Sequence, residues 1–390
     1  MRVLLLGTGM QGRAALHDLA ASPVVTEITA ADRGIAALEQ YVSARGLGGR
    51  VRCRHVDAAD AAELDHLVAE DFDVVVDLLP VTLMGRVAAA AVRHGAHLVN
   101  TMYVTPEVRG LAGEAEARGV TILPEFGMDP GIDLVLLGEA VRCFDEVTDI
   151  QSYGSGIPEP AAADNPLRYK ISWTFEGVLR SYRRGARLIR DGAVVRVGPA
   201  EQFLPENLHE VEIAGVGPLE AYPNGDALDF ASLLGLEVTH LKNLGRFTLR
   251  HPGHCQFWRT MVALHLLDDE PVEVDGAAVD RKRFLAAALE PHLQYREGER
   301  DLGILRVEVA GTREGKRQRV VFDLLDRGDL ATGLTAMSRL VGFTASIGAQ
   351  MIGTGQLAKR GLLSPVTDVP WAPLALKLEK RGITVTRTVS

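Results

Sequence analysis

The sequence predicts an α/β protein. A Rossmann-type, doubly wound parallel sheet stands at the N-terminus, followed by a second, α+β domain and a C-terminal helical segment that packs back near the Rossmann domain or the domain junction. Three observations predict this. Short, unbroken apolar runs alternate with helical patterns along the first part of the chain. Gly7-Thr8-Gly9-Met10-Gln11-Gly12 stands directly between the first apolar run and the first helical pattern. After about residue 150 the segments lengthen and alternate apolar with polar residues. Strands of parallel βαβ units are buried on both faces and read as continuous apolar runs, whereas half-buried antiparallel strands alternate.

Taken in order, residues 3–6 read as the first strand and the alanine-rich residues 11–21 as the first helix. Strands at 27–31 and 51–55 and helices at 35–44 and 59–69 follow. Residues 74–78 are almost purely β-branched and form the next strand, before a helix near 85–94. A strand at 97–100, a helix near 110–118 and a strand at 120–123 close the series. Beyond the Gly-, Pro- and Ala-rich residues 154–166, residues 194–197 and 245–249 read as half-buried strands. Residues 304–310 and 317–323 read as a hairpin turning through 311–315. Residues 331–352 form a long helical stretch of small and apolar residues, suited to close packing. The expected division is 1–130 for the dinucleotide domain, 131–330 for substrate binding and dimerisation, and 331–390 for the returning helical segment.

A chain of 390 residues is too long for one core and suggests two domains. With 47% apolar and 24% charged residues it has the composition of a soluble globular protein. The net charge of −9 argues against a nucleic-acid groove or a polybasic membrane face. Cys53, Cys143 and Cys255 lack C-x-x-C spacing, so neither a disulfide framework nor a thiolate zinc site is expected, and the cytoplasm is the expected compartment. No apolar run reaches membrane-spanning length, and residues 2–6 already form a strand, so no targeting segment is expected. His251 and His254 bracket a Pro-Gly turn without a nearby Cys or acid, and no metal site is expected there.

The G-x-G-x-x-G lies in the context a dinucleotide loop requires, after a strand and opening a helix. Gly7 permits the tight turn, Gly9 lets the backbone approach a pyrophosphate, and Gly12 lets helix and strand pack closely; Thr8, Met10 and Gln11 complete the loop. Asp32, 20 residues after Gly12, is placed to accept from the adenosine ribose and to repel a 2′-phosphate, which puts NAD first. Arg33 beside it is placed to pair with that phosphate, so NADP stays open. Asp57 follows the third strand, either at the adenine edge or as the N-cap of helix 59–69. Leu79-Pro80 follow the fourth strand, where the chain passes the nicotinamide ribose.

Six separated segments carry a resemblance. They are Glu125-Phe126-Gly127-Met128-Asp129-Pro130-Gly131-Ile132-Asp133, Asp164-Asn165-Pro166-Leu167-Arg168-Tyr169-Lys170-Ile171-Ser172-Trp173, Tyr222-Pro223-Asn224, Arg250-His251-Pro252-Gly253, Gln294-Tyr295 with Glu299-Arg300-Asp301, and Met337-Ser338 with Val341-Gly342. In this order they resemble the saccharopine dehydrogenase family, in particular the glutamate-forming saccharopine reductases and the related lysine 6-dehydrogenases. Four features depart from the reductases, one of them a helical insertion mostly missing between Trp258 and Arg281. Gly225 stands where their Tyr-Pro-Asn-Arg motif has arginine, Ser152-Tyr153-Gly154-Ser155-Gly156 lacks their cysteine, and Asp32 has no counterpart in them. The resemblance implies oxidation of an amine carbon by NAD(P) to an imine that water converts to aldehyde and free amine. It also implies an amino-acid substrate and a homodimer. Lysine 6-dehydrogenase is the alternative reaction, and a dinucleotide-binding protein without turnover the alternative class.

The chemistry needs groups that move protons. Asp129 lies just past the last strand, at the sheet edge where such folds bind ligands, and is read as an acid/base or as a turn residue. Tyr103, after strand 97–100, relays a proton or packs. Lys170, between Tyr169 and Trp173, holds a carboxylate or acts as a base. Ser172 and Trp173 form a pocket wall, with core packing as the alternative for Trp173. Asn224, Arg250 and His251, from the shared motifs, are expected at the substrate. Arg183, Arg184, Arg187 and Arg190 offer either a bidentate carboxylate partner or a solvated face.

Overall fold

The structure, a computed structural model, describes residues 1–390. The chain forms two compact units: Met1–Gly138 with Ser338–Ile383, and Glu139–Met337 with Thr384–Ser390. No helix is long and apolar enough to cross a membrane.

The first unit is built on a parallel sheet. Its strands are β1 (Arg2–Leu6), β2 (Glu27–Asp32), β3 (Val51–His55), β4 (Val74–Asp77), β5 (His97–Asn100) and β6 (Thr121–Leu123), with the short strand Gly361–Leu362 beyond β6. The spatial order β6-β5-β4-β1-β2-β3 reverses direction at β1. The register aligns Leu6 with Ala31 and Asp77, and Asp77 with Asn100, so the carboxyl ends of four strands share one edge. A crevice at such a switch point is where open α/β sheets bind ligands. Val3–Leu6 and Val74–Val76 are fully buried, the reason both runs are unbroken apolar.

Helix α1 (Met10–Ala21) lies against β1 and β2, with Gly12, Ala14 and Ala15 among its buried residues. Helix Ala336–Gly353 packs on α1: a Cβ at Gly342 would fall 2.4 Å from the Gln11 carbonyl oxygen and 2.6 Å from Ala15 N, so only glycine fits. One buried polar network joins them. Asp18 on α1 accepts from Arg381 Nε and Nη2 (2.6 and 2.8 Å), Ser346 Oγ (2.6 Å) and Gln350 Nε2 (3.1 Å).

At the sheet edge a second buried network sets the loops. Asn100 Nδ2 donates to Asp77 Oδ2 (2.7 Å), Asn100 Oδ1 accepts from Met102 N (2.6 Å), and Asp77 Oδ1 accepts from Leu79 N (3.0 Å). Burial pushes the Asp77 carboxyl up to about 7, against these hydrogen bonds, which lower it.

The second unit has a nine-stranded sheet. Its main path runs His209–Ile213, Gly217–Pro223, Asn243–Arg250, Glu146–Pro158, Asp301–Arg313, Lys316–Arg327 and Val385–Val389. Asn243–Arg250 and Glu146–Pro158 pair parallel, and the other pairs along this path are antiparallel. Its helices cover a core rich in aromatic rings, with Tyr169, Phe175, Tyr182, Tyr222 and Trp258 buried.

Three local expectations are corrected. The hairpin turns at Glu314-Gly315, both with positive φ (51° and 74°), as a two-residue loop requires. Gly311 instead lies within the strand at a bulge, where a Cβ would come 2.0 Å from the Glu146 carbonyl oxygen. The long helix begins at Ala336, not 331, because Asp329 first closes a turn by accepting from Ala331 N and Thr332 Oγ1. The third helix begins at Ala61, capped by Asp60, which accepts from Ala62 N and Glu63 N; Asp57 is not its cap.

Two outcomes follow from the buried groups. Arg381→Met leaves the Asp18 carboxylate buried without its cation and should cost about 3–5 kcal/mol, read as a lowered unfolding midpoint of the first unit. The raised Asp77 carboxyl contributes stability that is complete below its ordinary value of 3.8 and is lost as pH rises through about 7. Thermal midpoints measured from about pH 4 up to about 7 should therefore fall more steeply for the wild type than for Asp77→Asn, with the difference levelling off above that.

Candidate active site

The Gly-rich loop has the shape of an anion cradle. Gly7 (φ +86°) turns beneath Leu78, whose carbonyl oxygen a Cβ would meet at 2.8 Å. A Cβ on Gly12 would fall 2.0 Å from the Gly7 carbonyl oxygen, so helix and turn touch backbone to backbone. Beside Gly9 there is open space, with no atom within 4 Å of its Cβ position. Gly9 is the N-cap of α1, no side chain caps that end, and no acid lies in its first turn. Free N–H groups and the positive dipole end remain available to a pyrophosphate, so the loop fits a dinucleotide.

Asp32 ends β2 and closes this loop. Its Oδ2 accepts from Thr8 N (2.7 Å) and Thr8 Oγ1 (3.0 Å), and its Oδ1 from Gly34 N (2.9 Å). Burial raises its pKa, but these hydrogen bonds and the neighbouring Arg33 outweigh that and hold it below the usual carboxylate value. Arg33 itself is exposed. Asp57 closes a short turn by accepting from Ala59 N (3.0 Å). Leu79 and Pro80 follow β4 beside the Gly7 turn, held through the Asp77–Leu79 hydrogen bond.

Tyr103 and Asp129 come together: the Tyr103 hydroxyl donates to Asp129 Oδ1 at 3.3 Å. Their loops are built for this. Buried Glu125, at φ +57°, accepts from Val104 N (3.2 Å), and Phe126 N donates to the Asn100 carbonyl (2.9 Å), which ties the loop after β5 to the segment after β6. Gly127 and Gly131 then close on each other. A Cβ on Gly131 (φ +147°) would lie 2.0 Å from the Gly127 carbonyl oxygen, so the turn admits only glycine there and holds Asp129 at its tip.

In the second unit, Arg250 is the central group. It is buried, with 4% exposure, and no carboxylate pairs with it. Its Nη1 donates to Ser155 Oγ (3.2 Å) and the Leu249 carbonyl (2.9 Å), its guanidinium lies over the rings of Tyr169 (5.2 Å) and Tyr222 (5.9 Å), and its Nε is unsatisfied. The Ser172 Oγ and the Tyr169 and Tyr295 hydroxyls are buried and unsatisfied as well. Gly156 makes room for Ser172, since a Cβ there would meet Ser172 Oγ at 2.8 Å and Met337 Cε at 2.6 Å. His254 accepts from the Tyr182 hydroxyl (2.8 Å) and donates through Nδ1 to the Leu167 carbonyl (2.9 Å); burial, then Arg250, push it down to about 3, so it is neutral. His251 donates through Nε2 to the Pro158 carbonyl (2.8 Å).

Lys170 differs from a free acid/base. It is 2% exposed, and its Nζ pairs with Glu299 Oε2 (2.5 Å) and Asp164 Oδ1 (3.2 Å). Arg296 pairs with the same two carboxylates. Burial raises Glu299, but hydrogen bonds from Arg296 N and from the Lys170 and Arg296 side chains outweigh it and bring it to about 2. Trp173 is half-buried against the aromatic core, packed on Gly177, and Asn224 N donates to the Arg246 carbonyl (2.9 Å). Sequence reasoning missed Asp77, Asn100, Glu125 and Ser155; of these Glu125 and Ser155 lie in recognisable motifs, and Asn100 stands at a strand's carboxyl end.

Comparison with known proteins covers nearly the whole chain. The model of the saccharopine dehydrogenase NADP binding domain matches residues 3–123, and that of the saccharopine dehydrogenase C-terminal domain matches residues 127–383. The chain is 29% identical to the saccharopine dehydrogenase (NADP(+), L-glutamate-forming) of Pyricularia oryzae, over 98% of this chain and 97% of that one. It is 28% identical, with the same coverage, to the enzyme of that description from Schizosaccharomyces pombe. The solved apo saccharopine dehydrogenase (L-Glu forming) of Saccharomyces cerevisiae matches with a TM-score of 0.87 at 26% identity, covering 100% of this chain and 99% of that one. With the two domain models matched in sequence order from residue 3 to residue 383, the chain belongs to the saccharopine dehydrogenase family.

Proposed function

We propose that the protein is an NADP-dependent, L-glutamate-forming saccharopine dehydrogenase. It oxidises the secondary amine of saccharopine to an imine, and water then releases L-glutamate and an aldehyde. Arg250 is the observation that carries this reading. A fully desolvated guanidinium with no carboxylate costs several kcal/mol unless a ligand brings the missing charge. An amino-acid carboxylate is a matched, bidentate partner. The relatives named above act on saccharopine, and the lysine 6-dehydrogenase reading has no comparable support.

The bound dinucleotide supplies the hydride acceptor. The N–H groups at Met10, Gln11 and Gly12 would hold its pyrophosphate while Thr8, bonded to Asp32, shapes the loop, Asp57 meets the adenine edge, and Leu79 and Pro80 line the nicotinamide end. NADP fits better than NAD because both Asp32 oxygens already close the loop, while exposed Arg33 is open to a 2′-phosphate. This reading and the comparisons favour NADP, where the sequence put NAD first. Asp129 takes the amine proton as the imine forms and returns one to the departing nitrogen, with Tyr103 orienting its carboxylate and passing the proton on. Arg250 and Ser172 bind substrate. Asn224 and His251 shape the surrounding turn, and Lys170 is a positioning residue that anchors the Ser172–Trp173 segment through Glu299 and Asp164. A homodimer in the cytoplasm is the proposed assembly, supported by the exposed apolar side chains Leu264, Val274 and Phe284 of the second unit.

Saccharopine and NADP together should yield NADPH, with NADP bound about tenfold more tightly than NAD, or about 1.4 kcal/mol. Tighter binding of NAD in a fluorescence titration would return the ribose-acceptor role to Asp32. Arg250→Met should lower kcat/KM for saccharopine by about a hundredfold while leaving the NADP affinity unchanged. The same variant should keep or raise the thermal midpoint, because it removes a buried unpaired cation; a lowered midpoint would make Arg250 a structural residue. Asp129→Asn should lower kcat by about a hundredfold without weakening NADP binding; full turnover across a pH profile would leave Asp129 as a turn residue.

A further inference from the structure

Resting on the saccharopine reading, we infer that Arg184 is a second carboxylate anchor and so a determinant of specificity for substrates acidic at both ends. Three arginines follow one another where helix Phe175–Ser181 gives way to strand Ala186–Arg190. Arg183 is committed to Asp268 (3.1 Å) and Arg187 to Asp226. Arg184 makes neither an ion pair nor a side-chain hydrogen bond, and it is exposed.

Its place in the fold sets it apart from an ordinary surface arginine. The Arg184 Cδ lies 3.6 Å from the Cβ position of Gly225, and the Arg246 Nη1 lies 3.8 Å from the same point. Gly225, at φ +73°, turns directly after Tyr222-Pro223-Asn224, and its carbonyl accepts from Arg187 N (3.3 Å). The missing side chain at 225 leaves the space that the Arg184 stem enters. The motif that carries arginine after Tyr-Pro-Asn is thus without its own cation here, and a cation from the neighbouring helix end stands against the same turn. Tyr222 links this place to Arg250. Arg250 lies 5.9 Å over the Tyr222 ring, and the phenol, raised by burial, is pulled down by Arg250 and less strongly by Arg184.

The chemistry suits a dicarboxylate ligand. Arg250, dry and enclosed, takes one carboxylate and contributes most of the binding. Arg184, exposed to solvent, pairs with a second carboxylate in a partly screened position, where selectivity gains more than affinity. A substrate with a single amino-acid head uses Arg250 alone. Saccharopine, with carboxylates at both ends, uses both.

The test is steady-state kinetics of saccharopine oxidation with NADP for the wild type, Arg184→Gln, Arg184→Lys and the double variant Arg184→Gln/Gly225→Arg, with NADP affinity and thermal midpoint read for each. Arg184→Gln should raise KM for saccharopine by about tenfold with kcat within about twofold, and the difference should shrink with added salt. Arg184→Lys should recover part of the loss, and the double variant, which returns a guanidinium to position 225, should recover KM more fully. Unchanged KM in Arg184→Gln, with the wild type active on saccharopine, makes Arg184 a solvated residue and overturns the inference alone. Equal losses in kcat, NADP affinity and thermal midpoint also overturn it, since they mark a structural role. A wild type inactive on saccharopine overturns the functional reading and this inference together.

Discussion

The first unit depends on one steric constraint: α1 is held between two backbones that come too close for any side chain. On one side Gly12 meets the Gly7 turn, and on the other Gly342 meets Gln11 and Ala15. These contacts fix the start of α1 relative to the end of β1, which is what a pyrophosphate cradle needs. The same precision recurs at Gly131 against Gly127, where the turn presents Asp129. Backbone contacts of this kind hold functional groups more stiffly than side-chain packing does, because they contain no rotamers to relax.

The protein treats buried charge in two opposite ways, and the second unit holds an example of each. Asp18 is surrounded by donors and answered by Arg381, and Lys170 by Glu299 and Asp164, so their charges are spent on holding structure. Arg250 is given tyrosine faces, a hydroxyl and a carbonyl, which solvate a cation without neutralising it. The contrast separates residues that position from residues that bind, a distinction that residue type alone does not make.

Much of this was legible from local pattern. Six of the seven strands of the first sheet stand where the alternating pattern and the G-x-G-x-x-G placed them, and β1 and β4, buried on both faces, show the unbroken apolar runs most clearly. Reading failed where long-range partners decide. Lys170 looks available in sequence, but its partner Glu299 lies 129 residues away. Asp57 and Asp60 are equally good cap residues by type, and only the start of the helix chose Asp60. Gly311 and Gly315 look alike, yet one relieves a clash inside a strand and the other turns the hairpin. The gap at Gly225 was visible, but that Arg184 rather than Arg183 or Arg187 stands unpaired beside it required the ion pairs.

The ion pair between Asp18 and Arg381 joins residues 363 positions apart in sequence. On a ribosome that emits the chain from its N-terminus, β1 to β6 emerge long before the helix that covers α1. Throughout that interval Asp18 waits without its cation, and the face of α1 that Gly342 will meet stays open. The nucleotide-binding unit thus begins to emerge before the second unit and is completed only after most of it, so a nascent chain stalled before residue 381 carries a sheet without its closing clasp, a natural substrate for chaperones that hold exposed apolar surface.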